Sequence, residues 1–315
     1  MEYDSEEEFS AFLQDDAFKS CTIFPVGEGS NMLFINDFDG VVIHSCIKGI
    51  TEEEQTPHSI LLRVGAGERW DDIVNYAVQN GWGGVENLSN IPGTVGAAAV
   101  QNIGAYGVEI KDVIEAVEAI NQHTGKKHFF SKEACRYRYR HSFFKESGHT
   151  QFIITAIWLR LQKKPQFKLN YGNLTTALKG CEVTLQTIRD KIIKERRSKL
   201  PDPAELGNAG SFFMNPVIPQ SQFNDLKKQY VTIPFYPESQ SQVKIPAGWL
   251  IERCGFKGHR EGAVGIYEKQ ALILVNHGGA TGKEIASFAK KIQQVVYNRF
   301  GIRLEPEVKY VFSKA

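Results

Sequence analysis

Two short glycine-rich segments are the first places along this chain where residue type and spacing could do chemistry: GEGSN at 27–31 and PGTVG at 92–96. Glycine clears side chains from the backbone, and successive N–H groups then form concavities that take phosphate. Ordinary turns use glycine too, so neither segment is decisive alone. Together they flank one strand–helix unit and could grip a single pyrophosphate from both sides. A dinucleotide fingerprint of the Rossmann type requires a helix directly after its glycine loop, whereas GEGSN runs into another extended segment, so it is not that fold's signature.

Three further side chains are candidates. In CRYRYRHSFF, Arg136, Arg138 and Arg140 alternate with Tyr137 and Tyr139, and as a strand this spacing puts the arginines on one face. A guanidinium fork binds a carboxylate through two parallel hydrogen bonds. Arg140 therefore permits a carboxylate clamp, although a solvated face reads the same way. Ser211, in GNAGSFFMNP, reads as a helix cap or a loop hydroxyl; no GxSxG elbow surrounds it and no histidine lies close by in sequence, which leaves a serine-hydrolase role little support. Glu307 follows Pro306, whose fixed φ suits a positioned carboxylate as well as a strand edge. Five cysteines, at 21, 46, 135, 181 and 254, are scattered singly without CxxC spacing. They read as reduced thiols, and with no HxxxH or HxH among the histidines no metal site is expected.

The elements that must position these groups read as α+β. Strand-like runs fall at CTIFPV, LFI, GVVIH and LLRVG, followed by a helix in which Trp70, Ile73, Val74, Ala77 and Val78 recur at helical spacing. Gly81, Gly83 and Gly84 stop it. Pro92 and Gly93 form a turn, and Thr94 caps a short helix through Gln101. Longer strands follow at DVIEAVEAIN and QFIITAIWLR. A charged helix, TLQTIRDKIIKERRSK, ends at Lys199, and the prolines and glycines of LPDPAELGNAG make it the expected domain boundary. Beyond it lie the helix AGWLIERCG, the strands AVGIY and ALILVN, and a helix whose stripe Ile285, Phe288, Ala289, Ile292, Val295, Val296 and Phe300 faces a core.

At 315 residues the chain exceeds what a single core usually supports, so two or three domains are expected. Its 37 basic and 36 acidic residues leave a formal charge of +1, which gives no ground for a nucleic-acid-binding or membrane-attracted surface. The opening MEYDSEEEFS is acidic and has no apolar run, so the expected compartment is the cytoplasm. No later segment reaches transmembrane length.

The order and spacing of GEGSN, ENLSNIPGTVGAAAVQNIGAYGVE, CRYRYRHSFFK, KLNYGNL, KLPDP, GNAGSFFMNP, AGWLIERCGFKG, QALILVN and LEPEV resemble the UDP-N-acetylenolpyruvoylglucosamine reductase (UDP-N-acetylmuramate dehydrogenase) family from about Val26 to the end. The tyrosine of YGNL is similar to the subclass with a substrate-closing loop. The resemblance implies a two-part FAD-binding fold of the PCMH-like kind, 1–49 and 50–200, then an α+β UDP-sugar domain over 201–300 and a segment, 301–315, that returns to the FAD-binding part. It implies noncovalent FAD, NADPH as reductant, a UDP-sugar substrate in peptidoglycan precursor synthesis, and a monomer. In that scheme NADPH reduces FAD, flavin N5 delivers hydride to the enolpyruvyl β-carbon, Ser211 protonates the α-carbon, and Arg140 and Glu307 flank the carboxylate. FAD contacts are implied at Gly27, Glu28, Gly29, Ser30, Asn31, Pro92, Gly93, Thr94, Gly96, Asn102, Gly104 and Tyr106. Substrate contacts are implied at Tyr171, Lys199, Asn215, Tyr236, Lys257 and Gln270. The chain departs from the pattern by opening on an acidic helix in place of the usual first strand, and by carrying Ala97, Ala98 and Ala99 where serines are common. A FAD-dependent oxidase or dehydrogenase of another small substrate would share the glycine loops but would not need the UDP-sugar set.

Overall fold

Strand alternation builds the first layer. Ser59–Gly65 buries Ile60, Leu62 and Val64, Phe152–Gln162 buries Ile157, Leu159 and Leu161, and the two pair antiparallel inside a five-stranded sheet. Its order is Lys127–Ser131, Ile114–Asn121, Phe152–Gln162, Ser59–Gly65, Ile50–Gln55. The helices Trp70–Gln79 and Val95–Gln101 join these strands in one hydrophobic core. Trp70 is fully buried, and its indole N–H donates to the Leu88 carbonyl at 3.0 Å, so burial leaves no donor unpaired.

The computed structural model describes residues 1–170 and 174–312. It divides into two compact units: Met1–Gly29 with Gly40–Arg196, and Ser30–Asp39 with Arg197–Ala315. Residues 30–39 leave the 1–49 segment for the second unit because Met32–Phe34 pairs in parallel with Lys309–Val311.

The chain start also differs from expectation. The acidic helix is present as Glu6–Gln14, capped by the Ser5 hydroxyl on the Glu8 N–H, but a strand precedes it. Glu2–Tyr3 pairs in parallel with Val41–Ser45, which pairs on its other side with Ile23–Val26. Tyr3, Phe9, Phe12 and Ile43 anchor this small sheet through a core of their own.

CRYRYRHSFF is not a strand. Arg136 and Arg140 sit at φ 46° and 52°, in the left-handed region that an extended run cannot include. The Arg138 and His141 N–H groups donate to each other's carbonyls at 3.0 and 2.9 Å, closing a two-residue turn with Tyr139 and Arg140 at its corner. Positive φ at the second corner position is a turn geometry, not an extended one. The arginines therefore share no strand face.

In the second unit, Gly207–Ser211, Ile273–Asn276, Val264–Ile266 and Arg260–Glu261 form an antiparallel sheet in that order. The helix Gly282–Phe300 completes its core with Phe288, Ala289, Ile292, Val296 and Phe300. A Thr281–Glu284 capping box starts that helix, and Gly301 at φ 65° ends it. Among the described residues no helix is long and apolar enough to cross a membrane.

Candidate functional site

The two glycine-rich loops meet within the first unit. A Cβ on Gly27 would stand 2.8 Å from the Thr94 hydroxyl oxygen and 3.0 Å from the Ala97 methyl, so only glycine lets the 27–29 turn lie against the start of the Val95–Gln101 helix. Thr94 caps that helix by accepting from the Ala97 N–H. Glu28 ties the loops together: one carboxylate oxygen accepts from the Gly93 N–H at 2.8 Å and the other from Arg69 Nε at 3.0 Å. The Val95 and Gly96 N–H groups donate to the Glu68 and Ala66 carbonyls. Gly96 thus serves close packing against Ala66, and the Gly93 amide is held by the protein's own carboxylate.

Asn102, expected as a cofactor contact, has a structural part within the protein. It is fully buried at the helix end with φ 45°, and its amide faces the protein. Its Nδ2 donates to Glu109 and, at 2.8 Å, to the Arg138 carbonyl, while its Oδ1 accepts from the Lys111 N–H. Asn102 therefore holds the turn that carries Arg140. Lys145 Nζ donates to the Arg140 carbonyl at 2.9 Å, and Glu146 receives Arg136 and His141. The Arg140 guanidinium donates to the Gly104 carbonyl at 2.7 Å and lies 5.2 Å from the Tyr139 ring centre. A Cβ on Gly104 would come within 2.9 Å of that guanidinium, which accounts for glycine there.

Arg196 is a functional candidate that sequence reasoning read only as part of a charged helix. Its Nε donates to the Asn90 carbonyl at 3.1 Å. Burial pushes its guanidinium below the ordinary arginine range, nearby Tyr106 and Asp71 pull the other way, and the Arg140 charge adds a smaller push down. The Arg140 charge thus reaches Arg196, although Tyr106 and Asp71 influence it more. Tyr106, at φ 48°, has its phenol raised by burial, with the Arg196 charge opposing. Its carbonyl accepts from Asn87 Nδ2 at 2.9 Å. Asn87 is fully buried, and its Oδ1 has no hydrogen-bond partner among the described residues. A buried acceptor left unpaired is costly, and a donor on a bound cofactor is the kind of partner it lacks. This fits a cofactor bearing N–H or hydroxyl donors in the first unit.

The second unit gathers a different set. Asn208 Oδ1 accepts from the Gly210 N–H at 3.0 Å, and Gly210 adopts φ 69°. The pairing with Ile273–Asn276 shifts register between Asn208 and Ser211, so the strand bulges and re-aims the exposed Ser211. One residue on, the Phe212 carbonyl accepts from the Glu307 N–H at 2.9 Å, and Phe213 bridges to Pro306. Asn31 fastens this ladder: its Nδ2 donates to the Glu307 carbonyl and its own carbonyl accepts from the Lys309 N–H at 3.1 Å. The Ser30 carbonyl lies 3.8 Å from a Cβ built on Gly210. Ser30, Asn31, Ser211 and Glu307 are therefore neighbours.

The substrate set is spread more widely in that unit. Asn215 Oδ1 accepts from the Ala247 N–H at the start of helix Ala247–Arg253, and Gln270 Oε1 comes to 3.4 Å of a Cβ on Gly248. Tyr236 sits in the two-residue strand Tyr236–Pro237, paired with Lys244. Lys257 Nζ reaches Glu252 at 3.3 Å, and Lys199 is exposed at the end of Leu185–Lys199. Tyr171 lies outside the described residues.

Comparison with known proteins follows the same division. Residues 1–130 match the FAD binding domain model, and residues 202–311 match the model of the UDP-N-acetylenolpyruvoylglucosamine reductase C-terminal domain. A fold of this kind, an FAD-binding part followed by an α+β C-terminal domain, makes the chain a flavin-dependent oxidoreductase by class. A UDP-N-acetylenolpyruvoylglucosamine reductase of Porphyromonas gingivalis is 52% identical over 313 residues, covering 99% of this chain and 93% of its own length. One from Bacteroides fragilis is 45% identical over 312 residues, covering 99% of this chain and 93% of its own. The chain belongs to the UDP-N-acetylenolpyruvoylglucosamine reductase family. The crystal structure of the Thermus caldophilus UDP-N-acetylenolpyruvylglucosamine reductase superposes with a TM-score of 0.67 at 22% identity, over 98% of this chain and 90% of that one, and so shares its fold.

Proposed function

We propose that this chain reduces UDP-N-acetylglucosamine enolpyruvate to UDP-N-acetylmuramate with NADPH, as a cytoplasmic monomer supplying peptidoglycan precursors. The observation that carries the reading is the 52% identity to a named reductase across 99% of the chain, joined to a conformation that sets Ser211 beside the Glu307 backbone. FAD, when bound, accepts the electron pair of NADPH and passes it on as hydride to the enolpyruvyl β-carbon.

Every other step falls to the chain's own groups. Hydride addition throws negative charge onto the α-carbon and its carboxylate. Arg140 and Glu307 flank that carboxylate, and the cationic neighbourhood of Arg140 and Arg196 stabilises the charge more as it develops than before. Ser211 gives a proton to the α-carbon. A serine is a weak acid in water, but one positioned transfer needs only alignment and a water-excluding surround. Asn102 and Lys145 hold the Arg140 turn so that its guanidinium meets the substrate pre-oriented. Tyr171 closes over the diphosphate, with Lys199, Asn215, Tyr236, Lys257 and Gln270 binding the rest of the UDP-sugar.

The test is spectroscopic. Purified protein is expected to be yellow, to release FAD on acid treatment, to bleach anaerobically with NADPH, and to regain colour on addition of the UDP-enolpyruvyl sugar. FMN, a covalent flavin, or recolouring by oxygen but not by the UDP-sugar would overturn the proposal.

A further inference from the structure

The parallel pairing at the chain start brings Glu2 to the face that His44 and Cys46, two residues apart, share. Glu2 lies opposite His44 in the register of Glu2–Tyr3 and Val41–Ser45. Strand alternation sends Tyr3 and Ile43 into the core and leaves Glu2 and His44 on the other face. Cys46, two residues beyond His44, returns to that face, and its N–H donates to the Tyr3 carbonyl at 2.8 Å. The His44 Nδ1 stands 3.1 Å from Glu2 Oε1 and 3.8 Å from Cys46 Sγ, and the three ligand atoms lie within 4.8 Å of one another.

We propose that Glu2, His44 and Cys46 bind a zinc ion, with water as the fourth ligand, and that the ion fastens the first strand to Val41–Ser45. Tetrahedral zinc with nitrogen and oxygen at about 2.0–2.2 Å and sulfur at about 2.3 Å holds its ligand atoms roughly 3.3–3.6 Å apart. The observed separations from His44, 3.1 Å to Glu2 and 3.8 Å to Cys46, bracket that span, and the remaining adjustment falls to the Glu2 side chain, which is exposed. The donor set selects the metal: a thiolate and an imidazole with a single carboxylate suit a borderline-soft ion, and disfavour magnesium or calcium, which require oxygen ligands.

Cobalt reports on such a site directly. Tag-free, metal-stripped holoenzyme titrated with Co²⁺ is expected to develop one equivalent of thiolate-to-cobalt charge-transfer absorption together with intense tetrahedral visible bands, and Zn²⁺ is expected to abolish both. Cys46→Ser should retain flavin and turnover but lose the charge-transfer band. Zn²⁺ affinity, read by competition with a chromophoric chelator, should fall by at least the ~10–100-fold that the loss of an outer-shell partner already costs. Glu2→Gln, at an exposed position, should weaken Zn²⁺ while keeping the thiolate band. No thiolate band, a band that survives Cys46→Ser, or Zn²⁺ affinity unchanged in Glu2→Gln would each overturn the proposal.

Discussion

Ser211 takes its orientation from the residue before it. Gly210 at φ 69° is in a conformation that side chains other than those of Asn and Asp rarely adopt, and the resulting bulge turns Ser211 out of regular register. If Ser211 is the proton donor, Ser211→Ala should retain FAD, bind both substrates and be reduced by NADPH at nearly the parent rate. The deficit should appear only when the UDP-enolpyruvyl sugar reoxidises the flavin, by about two to four orders of magnitude. Stopped-flow absorbance resolves the two halves. Ser211→Cys supplies a proton and should recover part of the rate. Reoxidation of the alanine variant at the parent rate would transfer the role to Glu307 or to water.

At the scale of elements, the proposed cofactor-binding loops depend on a turn pressed against a helix start. The methyl of Gly27→Ala would meet the Thr94 hydroxyl at 2.8 Å and the Ala97 methyl at 3.0 Å. Thr94 cannot rotate away without giving up the Ala97 N–H it caps, a loss of about 1 kcal/mol. The loop must therefore move, taking with it the Glu28 carboxylate that holds the Gly93 amide. Gly27→Ala is expected to weaken FAD retention by roughly tenfold or more, equivalent to about 1.4 kcal/mol, with little change in the far-ultraviolet circular dichroism. Flavin content after dialysis measures it. A flavin-to-protein ratio equal to the parent's would show that the contact of the two loops does not matter for the cofactor.

At the scale of the whole molecule, stability rests on several cores and on a few polar ties between distant parts of the chain. One such tie in the first unit joins Asp71, in the Trp70–Gln79 helix, to the buried Arg189 of Leu185–Lys199, through two parallel bonds of 2.7 and 2.8 Å. Asp71 also accepts from the Asn90 N–H at 2.5 Å. Burial pushes the Asp71 carboxyl up, but the Arg189 and Asn90 hydrogen bonds and the Arg189 charge outweigh it and hold the group below the usual carboxylate range. A depressed native pKa stabilises the fold above the unfolded carboxylate pKa, and the contribution is lost as pH falls through the native value. Asp71→Ala also strands a buried guanidinium, so a loss of about 3 kcal/mol is expected at pH 7. Denaturant titration at pH 7 and again below pH 4 should show the gap between parent and variant narrowing with acid; a gap that widens would contradict this account.

Much was legible in the chain itself because it depends on residues close in sequence. The 3.6-residue stripe of Trp70, Ile73, Val74, Ala77 and Val78, the Thr94 cap, and the strands expected at 112–121 and 151–160 each follow from local spacing, and all appear in the fold, the strands as Ile114–Asn121 and Phe152–Gln162. The family followed in the same way from motif order, since its glycine loops and the GNAGSFFMNP segment are continuous stretches. Local spacing failed where a partner distant in the chain decides conformation. CRYRYRH alternates like a strand, yet Asn102 takes the Arg138 carbonyl and Lys145 takes that of Arg140, so the backbone turns at Arg140. The strand Met32–Phe34 has no signal assigning it to the second unit; its partner Lys309–Val311 supplies that. His44 and Cys46 share a face through their two-residue spacing, but only a parallel strand pair makes Glu2 their neighbour. Local periodicity chooses the elements, because each must bury one face. Which backbone groups, charges and thiols then meet is decided by tertiary contacts, because those partners are separated by tens or hundreds of residues.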